Sequence, residues 1–295
     1  MRINPSITGD LLAALSRAEQ EQRTAMEQMA SGRRVNNPSD DPSAASILVQ
    51  NHARSQQVDQ YLRSSTSVQS QLQAADSALS SVVTALQRAI SLGVEGGNAT
   101  LSNADRAALT SELQGIQNQL VSFANLSYQG QYVFAGTETR TQPFVVDATQ
   151  PSGVRYDGNT GTNSAEIGDG FRLQVNLPGS QIFANPNGNV FQSIHDLIVA
   201  LQNNTGVDTA VNGVSSAFDQ VTSQRVFYGN AMNQLDSQGT YLNNAKLELS
   251  KQEDTLAGAD LAAAATRLLN AENSRSAALA AAGRVSQLNL FDYLK

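Results

Sequence analysis

A seven-residue repeat of apolar side chains constrains this sequence more than any other feature. Every seventh residue from Val207 to Ala263 is apolar or aromatic, without interruption. The positions three residues later are mostly alanine or glutamine. A strict seven-residue repeat keeps one face of a helix turned toward its neighbours only when helices wind around one another. The pattern therefore predicts a long helix that packs against other helices.

Most of this repeat is expected to be covered by the same chain, because a second proline-free region at 43–142 offers helices to pack against it. A charge at Leu249 is then expected to destabilise the folded chain. If the long helix bends or breaks, Gly229 and Gly239 are the expected places, since glycine weakens a helix interior. The residues expected to form this intrachain seam are Val214, Val221, Leu235, Leu242, Leu249 and Leu256.

Proline and glycine placement predicts the organisation of the chain. Four of its seven prolines lie between 143 and 186, whereas the long flanking regions lack proline. Short β-prone runs, such as 144–146 and the alternating apolar residues of 171–177, predict a small β region there. The predicted fold is mainly α with a β insertion: a long antiparallel helical bundle or coiled-coil rod from the N- and C-terminal regions, with a small central β domain.

Five segments are predicted within this fold. Gly32 is expected to end the first helix, and Asp41 with Pro42 to begin the second. The segments are 1–42, an N-terminal assembly helix and loop; 43–129, the N-terminal rod helices; 130–190, the β-rich central domain; 191–255, the C-terminal rod helices; and 256–295, the C-terminal assembly helix.

Composition narrows the possible functions. The net charge is −7 and no basic stripe is present, which argues against nucleic-acid binding. The chain has no cysteine, and so no disulfide framework or thiol chemistry. No apolar run reaches the roughly 18 residues of a membrane span. The apolar run Leu11–Leu15 is too short for a secretory signal. We therefore expect neither a membrane partner nor a cleaved signal peptide.

The sequence shows no pattern typical of an active site. Its two histidines, His52 and His195, lie far apart and outside any metal-binding or catalytic motif. The adjacent carboxylates Asp40 and Asp41 could bind a metal, but their position before Pro42 favours the start of a helix. We therefore expect no enzymatic activity, no metal and no cofactor.

Several segments resemble the bacterial flagellin family. The first carries the loop signature, and the resemblance continues from Asp105 to Gly130. The segment from Gln131 to Phe144 and the tail from Asp260 to Leu294 are more similar to the hook-associated branch of that family than to filament flagellin. The loop-signature residues are Gly32, Arg33, Asn36, Asp40, Asp41 and Pro42.

The resemblance implies a structural role in the flagellum. It implies export through the flagellar type III apparatus and a place outside the cell, at the junction between hook and filament. The implied partners are the first hook-associated protein, flagellin, further copies of this chain and an export chaperone that binds the C-terminal helix. The residues implied in the assembly interface are Leu12, Leu15, Met26, Met29, Leu261, Leu268, Leu279, Leu288, Leu290, Phe291, Tyr293 and Leu294.

Two other functions remain open at this point. Filament flagellin shares the terminal helices and the loop signature. A self-contained coiled-coil scaffold or adhesin module would also explain the seven-residue repeat, although its alanine and glutamine positions favour assembly over a stable small oligomer.

Overall fold

The computed structural model describes residues 6–98, 100–186 and 188–293, and within these ranges the side chains from 9 to 284. Long helices dominate, and the strands form small antiparallel pairs, so the prediction of a mainly α chain with a β insertion is confirmed. The helices are α1 Ser6–Ser31, α2 Pro42–Gly96, α3 Asn103–Ala124, α4 Gly179–Ile182, α5 Val190–Asn203, α6 Val207–Ala257 and α7 Leu261–Tyr293.

Each strand pairs with its neighbour along the chain. The β5–β6 pair contains a register shift between Glu166 and Gly168, and the other pairs are regular. The strands are β1 Ser127–Tyr128, β2 Gln131–Tyr132, β3 Phe144–Val146, β4 Val154–Tyr156, β5 Ser164–Gly168, β6 Phe171–Gln174, β7 Ala184–Asn185 and β8 Gly188–Asn189.

The chain divides into two compact units. The first, called the terminal unit, consists of Met1–Gln57 and Asn244–Lys295. The second, called the central unit, consists of Val58–Asn243 and contains all the strands.

The ends of the early helices follow from local chemistry. Gly32 ends α1 with a φ of +67°, a conformation that glycine adopts without strain. The Asp41 carboxylate accepts a hydrogen bond from the Ala44 N–H at 3.0 Å, and Pro42 is the first residue of α2. Both predicted helix boundaries are confirmed.

In the central unit, α2 and α6 run antiparallel. Asp76 of α2 contacts Arg225 of α6, while Gly93, later in α2, faces Val211, earlier in α6. The seven-residue seam lies inside this pairing and is buried as far as Leu242. Its buried members are Val207, Val214, Val221, Tyr228, Leu235 and Leu242.

Clustered aromatic rings form the core near the strands. Phe144 lies at the centre, with ring centroids 5.3 Å from Phe183, 5.1 Å from Phe191 and 5.0 Å from Tyr156. Phe134 packs edge-on against Phe183 at 5.3 Å. Such rings bury a large apolar area in a segment whose strands are too short to build a sheet core alone.

Helix α6 does not break at Gly229 or Gly239, the places expected if it broke. Helix α6 continues through both glycines and ends at Ala257. A glycine costs about 1 kcal/mol in a helix interior. Burial of Tyr228 and Leu235 on the seam outweighs a cost of that size.

Helix α2 is long and apolar enough to cross a membrane by length and composition alone. Its apolar residues Leu72, Leu79 and Leu86 are fully buried in the core of the central unit. The core helix of a folded unit can be as apolar as a membrane-spanning helix. The composition of α2 therefore gives weak support to a membrane-spanning role.

Candidate assembly site

The loop between α1 and α2, residues 32–42, is called the signature loop. Its shape is fixed by its own side chains. The Asp40 carboxylate accepts hydrogen bonds from the N–H groups of Asn36 at 3.0 Å and Asn37 at 2.8 Å. The Asn36 side chain donates to the Arg33 carbonyl at 3.0 Å. The loop is therefore a defined turn of the terminal unit.

The signature loop pairs with the break between α6 and α7. The Arg34 N–H donates to the Ala257 carbonyl at 2.6 Å, and the Ala259 N–H donates to the Gly32 carbonyl at 2.9 Å. These bonds form an antiparallel bridge between Arg33 and Gly258. The backbone groups of the break are thus paired with the loop instead of with another helical turn. This pairing explains why α6 ends here and not at the earlier glycines.

Helix α7 begins at once after this bridge. The Asp260 carboxylate accepts from the N–H groups of Ala262 at 3.0 Å and Ala263 at 3.1 Å. These N–H groups belong to the first turn, where no carbonyl of the same helix can reach them. Asp260 therefore restarts the helix within three residues of Ala257.

Charged side chains reinforce the bridge. The Arg34 guanidinium donates to the Leu256 carbonyl at 2.9 Å and to the Asp41 carboxylate at 3.1 Å. Arg33 forms an ion pair with Glu253. His52 is exposed, with its Nε2 3.4 Å from a Glu253 carboxylate oxygen. These contacts connect the signature loop to the last two turns of α6.

The Asp41 carboxylate is held in its charged form. Its pKa is lowered to about 2 by the hydrogen bond from the Ala44 N–H, then by those from the Ser43 hydroxyl and the Arg34 guanidinium. Both carboxylates of the Asp40–Asp41 pair thus serve the loop and the helix start, as the sequence indicated. Over the described ranges, no three His, Cys, Asp or Glu residues group closely enough to hold a metal ion.

A small apolar cluster lies beneath the loop. Val35 packs with Ala44 and Leu48 of α2 and with Ala257 of α6, and all four are buried. Leu256 is half-buried against this cluster. Leu249 is also only half-buried. The seam is therefore fully covered up to Leu242 and partly covered at its last two predicted positions.

Helices α1 and α7 pack against each other through small side chains. The buried positions of this pair are chiefly Ala18 and Ala25 on α1, with Ala264 and Ala271 on α7. Alanine at the contact lets two helix backbones approach closely but buries little apolar area. The pair therefore forms with most of its large apolar side chains outside the contact.

Seven of the predicted assembly residues have described side chains, and five of these are exposed in the terminal unit. Leu12 is 67% exposed, and Leu15 and Leu268 are half-buried. Large exposed apolar side chains on one surface commonly mark an interaction site. The other exposed members are Met26, Met29, Leu261 and Leu279, and Leu269 is a further exposed leucine that the sequence prediction did not include.

The predicted assembly residues of the tail are only partly described. The backbone of α7 is helical to Tyr293. The side chains of Leu288, Leu290, Phe291 and Tyr293, and the whole of Leu294, lie outside the described residues.

Two models of the bacterial flagellin family match the chain. The N-terminal helical region matches residues 7–139, and the C-terminal helical region matches residues 211–294. Flagellar hook-associated protein 3 of Escherichia coli is 31% identical over 233 residues, which are 70% of this chain and 72% of that protein. The chain belongs to the bacterial flagellin family.

Two further proteins are similar to this flagellin-family chain. Flagellar hook-associated protein 3 of Salmonella typhimurium is 36% identical over 179 residues, which are 60% of this chain and 55% of that protein. The crystal structure of the flagellar junction protein FlgL from Legionella pneumophila matches 72% of this chain and 100% of that chain, at 16% identity and a TM-score of 0.62. This likeness shows that the two proteins share a fold.

Flagellins and hook-associated proteins are structural proteins of the flagellum. This flagellin-family chain is accordingly a structural protein and not an enzyme. The signature loop belongs to the matched N-terminal region, and the break that it pairs with belongs to the matched C-terminal region.

Proposed function

We propose that this flagellin-family protein is the adaptor that joins the flagellar hook to the filament. The observation that carries the proposal is its similarity to two proteins named flagellar hook-associated protein 3. In this role it contacts the first hook-associated protein on the hook side and flagellin on the filament side, and it associates with further copies of itself. It acts outside the cell and leaves the cytoplasm by the flagellar export route.

The terminal unit supplies the surface for this assembly. Leu12, Met26 and Met29 on α1 are exposed, because the α1–α7 contact uses alanines instead. Burying such side chains between subunits would release about 25 cal/mol per Å² of apolar surface. An export chaperone that covers the C-terminal helix would keep this surface from associating too early.

The abundance of the protein in purified hook–filament particles tests the proposal. A junction protein is present in few copies per particle, whereas flagellin forms the bulk of the filament. Quantitative mass spectrometry should therefore find this chain at a small fraction of the flagellin level. If it is instead the dominant subunit, the adaptor proposal fails and filament flagellin is the correct function.

A targeted variant tests the assembly surface. Met26→Ser with Met29→Ser should leave the monomer folded, because both side chains are exposed. The variant should still be secreted but fail to support filament growth. Val226→Ser, at an exposed apolar position of the central unit, is the matched control and should support normal growth. Normal filaments on the double variant would exclude this part of α1 from the interface.

A further inference from the structure

The central unit carries a groove that lies outside the assembly surface proposed for the terminal unit. It lies between α6 and the β5–β6 hairpin and has a volume of about 610 Å³. The groove is shallow and largely open to solvent. Its α6 wall consists of amide and hydroxyl side chains on successive turns of one helix face, namely Asn230, Asn233, Gln234, Ser237 and Gln238.

The hairpin is seated closely against this helix. A Cβ atom at Gly168 would collide with the side-chain amide of Gln238. Because the end of the Gln238 side chain is flexible, this contact shows that the hairpin lies beside α6 and does not by itself require glycine. This position of the hairpin places Phe171, at the start of β6, on the groove.

Two exposed aromatic rings line the same groove. Phe171 is 41% exposed and Tyr241 is 65% exposed. The other aromatic side chains of this region, such as Phe144 and Phe183, are buried in the core. Phe171 and Tyr241 are thus the two rings that offer accessible surface beside the amides.

The amide groups of the groove are available to a ligand. Within the described part of the chain, the side chains of Asn230, Asn233 and Gln234 form no hydrogen bond. The Ser237 hydroxyl donates to the Asn233 carbonyl at 2.9 Å and keeps its acceptor capacity. Each free amide offers both a donor and an acceptor.

The chemistry of this lining selects one class of ligand. No charged side chain lines the groove, whereas binding to nucleic acid requires cations. Sugar hydroxyls donate and accept hydrogen bonds, as amides do, and the C–H face of a pyranose packs on the electron-rich face of an aromatic ring. We propose that this groove binds a neutral oligosaccharide.

A second copy of the chain is the competing occupant. A stable protein interface buries about 800 Å² on each partner and is anchored by a packed apolar centre. The groove offers two separate rings and otherwise hydrogen-bonding groups. This lining favours a small polar ligand over a protein surface.

The proposal is tested by titrating the full-length protein with chitotetraose, maltotetraose and mannotetraose. Saturation-transfer NMR and calorimetry measure the binding. We expect saturable binding of at least one of them. Tyr241→Ala and Phe171→Ala should each weaken that binding at least tenfold. Tyr241→Phe should retain most of it, because the ring face is kept. Val226→Ala is the matched control, since this α6 residue is exposed but does not line the groove.

Three results would overturn the proposal. The first is the absence of saturable binding to all three sugars by a protein with normal circular dichroism. The second is equal binding by the wild-type chain and the Tyr241→Ala and Phe171→Ala variants. The third is concentration-dependent self-association, seen by sedimentation, that Tyr241→Ala abolishes, which would assign the groove to a second copy of the chain.

Discussion

The guanidinium of Arg225 on α6 forms two parallel hydrogen bonds with the carboxylate of Asp76 on α2. The Nε–Oδ1 distance is 2.9 Å and the Nη2–Oδ2 distance is 3.0 Å. Both side chains are about seven-tenths buried, at 30% and 28% exposed. This bidentate geometry fixes the register of α2 against α6 in the central unit more tightly than apolar contacts alone.

Removing this ion pair should destabilise the central unit. Asp76→Ala leaves the Arg225 charge partly buried without its partner, so we expect a loss of about 1 kcal/mol in the free energy of unfolding. Urea denaturation followed by circular dichroism measures it. Glu112→Ala removes the more exposed ion pair with Arg88 and should leave the midpoint unchanged. Equal midpoints for wild type and Asp76→Ala would show that the pair adds no stability.

The α6 seam should contribute less to the free energy of unfolding toward its C-terminal end. Leu235 is fully covered in the central unit, and Leu249 is half-buried in the terminal unit. Leu235→Ala should cost about 3 kcal/mol and Leu249→Ala about 1 kcal/mol, because a cavity forms only at a buried position. A charge at Leu249 should also destabilise less than one at Leu242, because half-buried Leu249 keeps part of its contact with water. Equal losses for the two alanine variants would contradict this gradient.

Two glycine substitutions should change stability in opposite directions. Gly32 has a φ of +67°, and Gly32→Ala should cost about 1 kcal/mol because alanine is strained there. Gly229 lies inside α6 with open space where a Cβ would be, so Gly229→Ala should stabilise by about 0.5–1 kcal/mol. Thermal unfolding of both variants measures the difference. A lower melting temperature for Gly229→Ala would indicate that α6 bends there in solution.

The Asp41 carboxylate should make the terminal unit sensitive to acid. Its pKa falls from 3.8 to about 2 on folding, so its stabilising effect is complete above about pH 5 and is lost as the pH falls through about 2. Asp41→Ala should therefore melt earlier than wild type at pH 7, and the gap should close near pH 2. Melting curves across this range test it, with Asp219→Ala at an exposed site of α6 as control. A gap that persists unchanged at pH 2 would refute the linkage.

Deletion of 288–295 should separate folding from assembly. We expect the shortened chain to keep a folded 43–256 region, because the buried cores lie within the earlier residues. It should fail to assemble, since the deletion removes the last apolar residues of the C-terminal assembly helix. Limited proteolysis reports on folding, and motility reports on assembly. Normal filament growth with the shortened chain would contradict the prediction.

Local chemistry made several features predictable from the sequence. The ends of α1 and α2 depend on residues within three or four positions, such as Gly32, Asp41 and Pro42, and these boundaries are confirmed. The seven-residue repeat likewise indicated the buried seam through Leu242. Both signals are contained in short stretches of chain.

Features that depend on distant partners were not predictable in this way. The end of α6 is set by pairing with the signature loop, and Arg34 contacts Leu256 across 222 positions of sequence. Gly229 and Gly239 gave a stronger local signal for a helix end. In the described part of the chain, however, no backbone partner competes there with the helical hydrogen bonds. The alanines that form the α1–α7 contact, such as Ala18 and Ala264, were not predicted, because they give only a weak apolar pattern.

The bridge between Arg33 and Gly258 joins backbone groups, so it depends on the count of residues more than on their identity. A different side chain at Arg33 leaves the bonds of Gly32 and Arg34 to the α6–α7 break in place. One inserted or deleted residue between Gly32 and Arg34 would change the spacing of these two backbone groups and break the bridge. Over evolution, Arg33 should therefore tolerate substitution, whereas the spacing from Gly32 to Arg34 should not change.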